Sequence, residues 1–110
     1  MKRAYDVSDP ATGAAIGRLL PQAADWHIVD ALGQRVADVV QSTAGFPQTS
    51  YVITAGGEEL CRLVAVMGAT AASAEVQIEF LPASDGRLER SLAIALAPII
   101  EERARRARWT

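Results

Sequence analysis

The stretch "WHIVDALGQRVADV", residues 26–39, decides the fold of this chain. Trp26 and Ile28 stand two apart, so they share one face of an extended strand. Asp30 and Gly33 supply turn chemistry. Val36, Ala37, Asp38 and Val39 then resume an apolar pattern. The segment reads as a β-hairpin. The same plan occurs before it in "YDVSDPATGAAIGRL", from Tyr5, and after it in "YVITAGGEELCRL", from Tyr51.

In all three segments an aromatic is followed two positions on by an aliphatic: Val7, Ile28, Ile53. All three turn at glycine: Gly13, Gly33, Gly57. Three residues past that glycine they run aliphatic, small, charged, aliphatic: Ile16-Gly17-Arg18-Leu19, Val36-Ala37-Asp38-Val39, Leu60-Cys61-Arg62-Leu63. The two aliphatics are three apart, which breaks strict alternation. A β-bulge or strong twist reconciles them. The repeats start too close together for βαβ units, whose crossovers alone take a dozen residues or more. An antiparallel meander is expected. A seventh strand follows at "AEVQIEFL", where Val76, Ile78 and Phe80 alternate with Gln77 and Glu79. Residues 67–74 read as a loop, and "PASDGR" stops the sheet, with Ser84 or Asp85 placed to cap the next element.

That element is "LERSLAIALAPIIEERARRARW", from Leu88 on. Its residues are strong helix formers. Leu92, Leu96 and Ile99 project to one side and Ile94 opposite. A helix apolar all round must be enclosed. The run from Leu92 to Ile100 is too short for the ~20 residues a span requires. Apolar and charged residues are separated lengthwise, unlike a membrane-surface helix. The segment is therefore expected to be buried in protein. Pro98 either kinks it or opens a second helix, with Glu101 and Glu102 in the first turn of that helix.

The 110 residues are expected to form a single domain, residues 1–110, mainly β with a C-terminal α-helix: an antiparallel hairpin-repeat sheet or small barrel around a hydrophobic helix. Cysteine occurs once, at Cys61, which leaves no internal disulfide and no cysteine-rich zinc site. No apolar signal segment follows Met1-Lys2-Arg3. A reducing, cytoplasmic setting is expected, with no transmembrane segment.

The hairpin repeats "Y-x-V-x-D…G-x-x-I-G" and "W-x-I-x-D…G-x-x-V-A", with "EVQIEF" and "RLERSLAIALAPIIEE", resemble the phospholipid scramblase and LURP-one-related proteins. These share the tubby C-terminal-like fold. The resemblance spans Tyr5 to about Arg106. It implies a closed antiparallel barrel threaded by the C-terminal helix, non-catalytic, with lipid binding as its function. The family barrel has more strands than the seven counted here, so this chain forms a smaller barrel, completes itself by dimerising, or represents part of a longer ancestor. The family's helix is uninterrupted where Pro98 stands. Its lipid-site residues have no counterparts to carry over.

Candidate sites are few. Residues 1–86 carry a net charge of −5 and residues 87–110 one of +3. The positive end holds Arg103, Arg105, Arg106 and Arg108, next to Trp109. These four arginines are the candidate site for lipid head groups at an anionic membrane surface. They are also what a solvated helix end favoured by the macrodipole looks like. One short cluster on an acidic chain does not point to nucleic acid. His27 lies on the face opposite Trp26 and Ile28 and is read as an outward strand residue. Cys61 holds the small position of its repeat and is read as packing. Asp6, Asp9 and Thr12 offer oxygens but lack the EF-hand pattern, and are read as turn-forming. Gly56-Gly57 lacks the Lys-Ser/Thr of a P-loop and is read as the third hairpin turn. No catalytic residues, metal site or cofactor are expected. The expected function is peripheral lipid binding; the alternative is a protein-interaction or self-assembly module, such as a homodimer.

Overall fold

The computed structural model describes residues 4–22, 25–43, 48–67 and 74–109. Seven strands form one antiparallel sheet in chain order: β1 (Tyr5–Ser8), β2 (Ala15–Gln22), β3 (Asp25–Asp30), β4 (Arg35–Thr43), β5 (Gln48–Ala55), β6 (Glu58–Met67) and β7 (Ala74–Phe80). A 3₁₀ turn at Pro82–Ser84 leads to helices α1 (Arg90–Ile94) and α2 (Ala97–Trp109). The expected loop over 67–74 falls between β6 and β7, and residues 68–73 lie outside the described part.

The three repeats are the three hairpins β1–β2, β3–β4 and β5–β6, and each carries a bulge at the same place. The register slips so that Ile16, Val36 and Leu60 have no opposite residue. The small residue after each one pairs with the first strand's aliphatic: Gly17 with Val7, Ala37 with Ile28, Cys61 with Ile53. The extra residue explains the irregular spacing. Side chains alternate between faces along a strand, and a bulge resets that alternation. Leu60 and Cys61 are therefore both buried, and Leu63 and Ala65 follow on the same face.

The turns match their residues. Gly56 and Gly57 have φ of 58° and 81°, the paired left-handed conformation of a two-residue hairpin turn. The Asp30 carboxylate accepts the Leu32 and Gln34 amides at 2.9 Å, and the Asp9 carboxylate accepts the Ala11 amide at 2.8 Å. Both aspartates hold their own turns in the way short acidic side chains do.

The sheet curls around the helices, with α1 on β2 and α2 on β5, β6 and β7. Leu92, Ala93, Leu96, Ile100 and Ala104 face Leu19, Ile28, Val39, Tyr51, Ile53 and Leu63 in one buried cluster. Ala93 and Ala104 are slim enough to let the helix sit close to the strands.

Four expectations change here. The closed barrel is replaced by an open half-barrel: among the described residues β1 and β7 do not pair. The helix is consequently not enclosed all round, and Ile94 is 54% exposed on the open side. Pro98 sits at the second position of α2, so the helix breaks at Ala95-Leu96 as the two-helix reading has it, but Glu101 and Glu102 fall beyond its first turn. The break also rotates the stripe, so Ile100 is buried while Ile99 is only partly so. Neither Ser84 nor Asp85 caps α1. The Ser84 hydroxyl donates to the Leu81 carbonyl at 2.7 Å within the 3₁₀ turn, and Glu89 is the residue that precedes α1.

Gly17 is the tightest point of the packing. A Cβ there would collide with the Val29 carbonyl oxygen and meet the Leu92 Cδ2 at 3.0 Å. Gly17→Ala is expected to destabilise the fold by ~1–3 kcal/mol. Thermal or urea unfolding measures it. An unchanged midpoint would show that the first hairpin does not press on α1.

Candidate functional site: the arginine end of the terminal helix

Arg103 does not join the other arginines. Its guanidinium lies 4.1 Å above the Trp26 ring, and Nη1 donates to the Tyr51 hydroxyl at 2.8 Å. Trp26 and Tyr51 are the opening aromatics of the second and third repeats, and both are buried. Their ring centroids are 6.4 Å apart at 51°. They converge because β3 and β5 flank β4: Trp26 pairs with Val39, and Val39 with Ile53, two residues past Tyr51. Cation–π stacking and a charge-assisted hydrogen bond hold Arg103 half-buried over the sheet. The opening aromatic of the first repeat, Tyr5, is only partly buried and lines a cleft of about 260 Å³ with Val7, Ala95, Pro98 and Ile99.

Arg105 pairs with Glu101 at 3.2 Å and Arg106 with Glu102 at 2.7 Å, both i,i+4 along α2 with the acid on the N-terminal side. That is the favourable order on a helix, worth ~0.3–0.5 kcal/mol each. The Arg108 side chain lies outside the described residues. The three candidates with described side chains are thus divided: Arg103 is turned inward, and Arg105 and Arg106 are set on acidic partners at the surface. The inward turn of Arg103 had a trace in the sequence. Leu96, Ile100 and Ala104 form the buried stripe, and position 103 lies three after Ile100, on the flank of that stripe.

The remaining candidates lie apart from this end. His27 is half-buried on the convex face, across from Asp38 in register, and Asp38 is paired with Arg35. Asp6 pairs with Arg18 at 2.6 Å, while Asp9 and Thr12 bond the backbone of their own turn. Among the described residues no group of three or more His, Cys, Asp or Glu side chains is placed to hold a metal ion. A wider cleft of about 730 Å³, not foreseen from the sequence, opens at the turn end between Ile16, Val36, Arg87 and Leu92. Of its carboxylates, Asp9 and Asp30 are taken up by their turns and Glu89 accepts the Ser91 hydroxyl at 3.4 Å, while Arg87 bridges to Glu58 and the Ala55 carbonyl.

No helix among the described residues is long and apolar enough to cross a membrane. Comparison with family models, curated proteins and solved structures returned no match for the chain.

Cys61 is fully buried between Ile53 and Phe80 in register. Burial, with the nearby Glu79 charge second, pushes its thiol from 9.0 up to about 11. The folded chain therefore keeps a proton that the unfolded chain loses as pH passes 9.0. Stability contributed by Cys61 is intact below pH 9.0 and falls between pH 9.0 and about 11, by up to ~1.4 kcal/mol per pH unit. Urea titrations across that range should show the loss, and Cys61→Ala should flatten it. A thiol reagent at pH 8 should label Cys61 only on unfolding. Rapid labelling of the native chain would contradict its burial.

Proposed function

We propose that the chain is a non-catalytic, scramblase-like or LURP-one-like binding module that docks on an anionic surface through the arginine end of α2. One observation carries this reading. The partners of Arg103 among the described residues are a ring and a hydroxyl, with no carboxylate, so its charge is not cancelled locally. A guanidinium has five N–H donors in a planar fork suited to phosphate. Arg106 follows Arg103 by three positions on α2, Arg105 projects from another side of the helix, and both are in weak surface pairs that can exchange glutamate for phosphate oxygen. Each basic side chain at an anionic bilayer contributes about 1 kcal/mol, screened by salt. A second reading, assembly with another chain, is favoured by the open edge of the sheet.

Flotation with neutral, phosphatidylserine and phosphoinositide liposomes tests the first reading. The chain should float with the anionic vesicles only, and less at physiological than at low salt. Replacing Arg105, Arg106 and Arg108 together by Gln should abolish flotation while leaving the unfolding midpoint near that of the parent. Arg103→Lys should weaken both binding and stability, because an ammonium cannot stack and fork as a guanidinium does. No flotation of the parent chain in any condition would remove the lipid reading.

A further inference from the structure

The two edges of the sheet are built differently. β1 has four residues and ends in a bulge, and short, bulged strands are poor templates for pairing. β7 has seven residues in an unbroken ladder with β6. It contains no proline, lysine or arginine, and its charges, Glu75 and Glu79, are exposed on the convex face. Apart from those two glutamates, it has none of the usual devices that blunt an edge: it is not short, and it has no bulge, proline or inward-pointing charge.

Its free side can be read from one hydrogen bond. The Leu81 amide donates to the Leu60 carbonyl of β6 at 3.0 Å. Residues bonded to a given neighbour alternate along an antiparallel strand. Val76, Ile78 and Phe80 therefore direct their amides and carbonyls away from β6, where no strand lies among the described residues. The same three side chains form the concave row of β7. They are only partly buried, whereas Ala65, Leu63 and Cys61, opposite them on β6, are completely so. Among the described residues no strand adjoins the row on its far side, and the Arg90 guanidinium lies 4.7 Å over the Phe80 ring at its end.

We infer that β7 pairs antiparallel with β7 of a second copy of this chain, about a two-fold axis through Ile78. Charge and facing select both the occupant and the register. A two-fold axis perpendicular to the sheet keeps both concave faces on one side only when it is centred on a residue position. Centred on Ile78, it sets Ile78 against Ile78 of the other copy, Phe80 against Val76, and Gln77 against Glu79. Every concave pair is then apolar, and no carboxylate faces another. Centred on Gln77, the axis sets Glu75 against Glu79 twice. Centred on Glu79, it opposes the two Glu79 side chains. Centred on Val76, it leaves Phe80 beyond the end of the partner strand. Only the Ile78 register pairs the whole apolar row without like charges, which are destabilising when directly opposite.

This rests on the assembly reading, for which it names the partner and the register, and it is tested without lipid. Sedimentation velocity over a dilution series would follow the parent chain, Gln77→Glu and Gln77→Lys. Gln77 is exposed on the convex face, so neither change touches the core. The parent should dissociate from dimer to monomer on dilution. Gln77→Glu should raise Kd roughly five- to tenfold and Gln77→Lys lower it comparably, since each dimer holds two of these cross-strand pairs. Added salt should shrink both shifts. Thermal melts at the lowest concentration check that the monomers are equally stable. Amide exchange at Val76, Ile78 and Phe80 should slow as the dimer forms. A parent monomeric at every concentration would overturn the inference. So would a dimer whose Kd moves in the same direction in both variants, as a Gln77-centred register demands, or moves in neither.

Discussion

The burial of two consecutive residues after each hairpin turn is the constraint on which the rest of the structure depends. A regular strand shows one residue in two to its core. Here Leu60 and Cys61 both face inward, as Ile16 with Gly17 and Val36 with Ala37 do in part. The bulges that make this possible also add right-handed twist at the same level of every hairpin. Three such bends in register curl the sheet. A curled sheet has a concave apolar face that needs covering, and the chain's last two helices cover it. The small residue of each pair is part of the same arrangement. Gly17 leaves room for Leu92, and Cys61 and Ala37 keep the floor of the trough low.

The helix end is held by a different kind of contact. Along Leu92, Leu96 and Ile100 the packing is purely apolar. At Arg103 it changes to a guanidinium clamped by Trp26 and Tyr51. Stacking on a ring and one hydroxyl acceptor let the arginine be half-buried while keeping its full charge at the rim of the trough. An ion pair there would have satisfied the same donors but neutralised the site. This single side chain thus ties the stability of the helix's attachment to the electrostatics of the surface beside it.

Openness is the third property. Among the described residues the half-barrel stops at β7 with no strand on its outer side, while β1 ends the sheet with four residues and a bulge. Curl without closure leaves the side of Ile94 and Pro98 exposed and the concave row of β7 half-covered. Closure would have hidden both. The two proposed binding surfaces, the charged helix end and the strand edge, rest on different physics: screened Coulomb attraction for one, main-chain pairing and apolar burial for the other.

Much of the fold was legible in the residues. Period-two alternation from Tyr5 to Val7, Trp26 to Ile28 and Tyr51 to Ile53, with glycine at each turn, determined the hairpins and their order, because these are local signals of few residues. Even the bulge was marked, by aliphatics three apart where alternation calls for two. The break before Pro98 was legible for the same reason: a missing amide acts within one turn. Whether the sheet closes was not legible, since closure depends on accumulated twist over seven strands. Nor was the burial of Ile100 in place of Ile99, because a helical projection cannot be carried across a break whose angle is set by packing. The fate of the four arginines was the least legible. Helical spacing sets Arg103 on the flank of the buried stripe and Arg105 away from it, but only the convergence of Trp26 and Tyr51 from two hairpins, far apart along the chain, gives the first guanidinium a ring and a hydroxyl while the other pairs with Glu101.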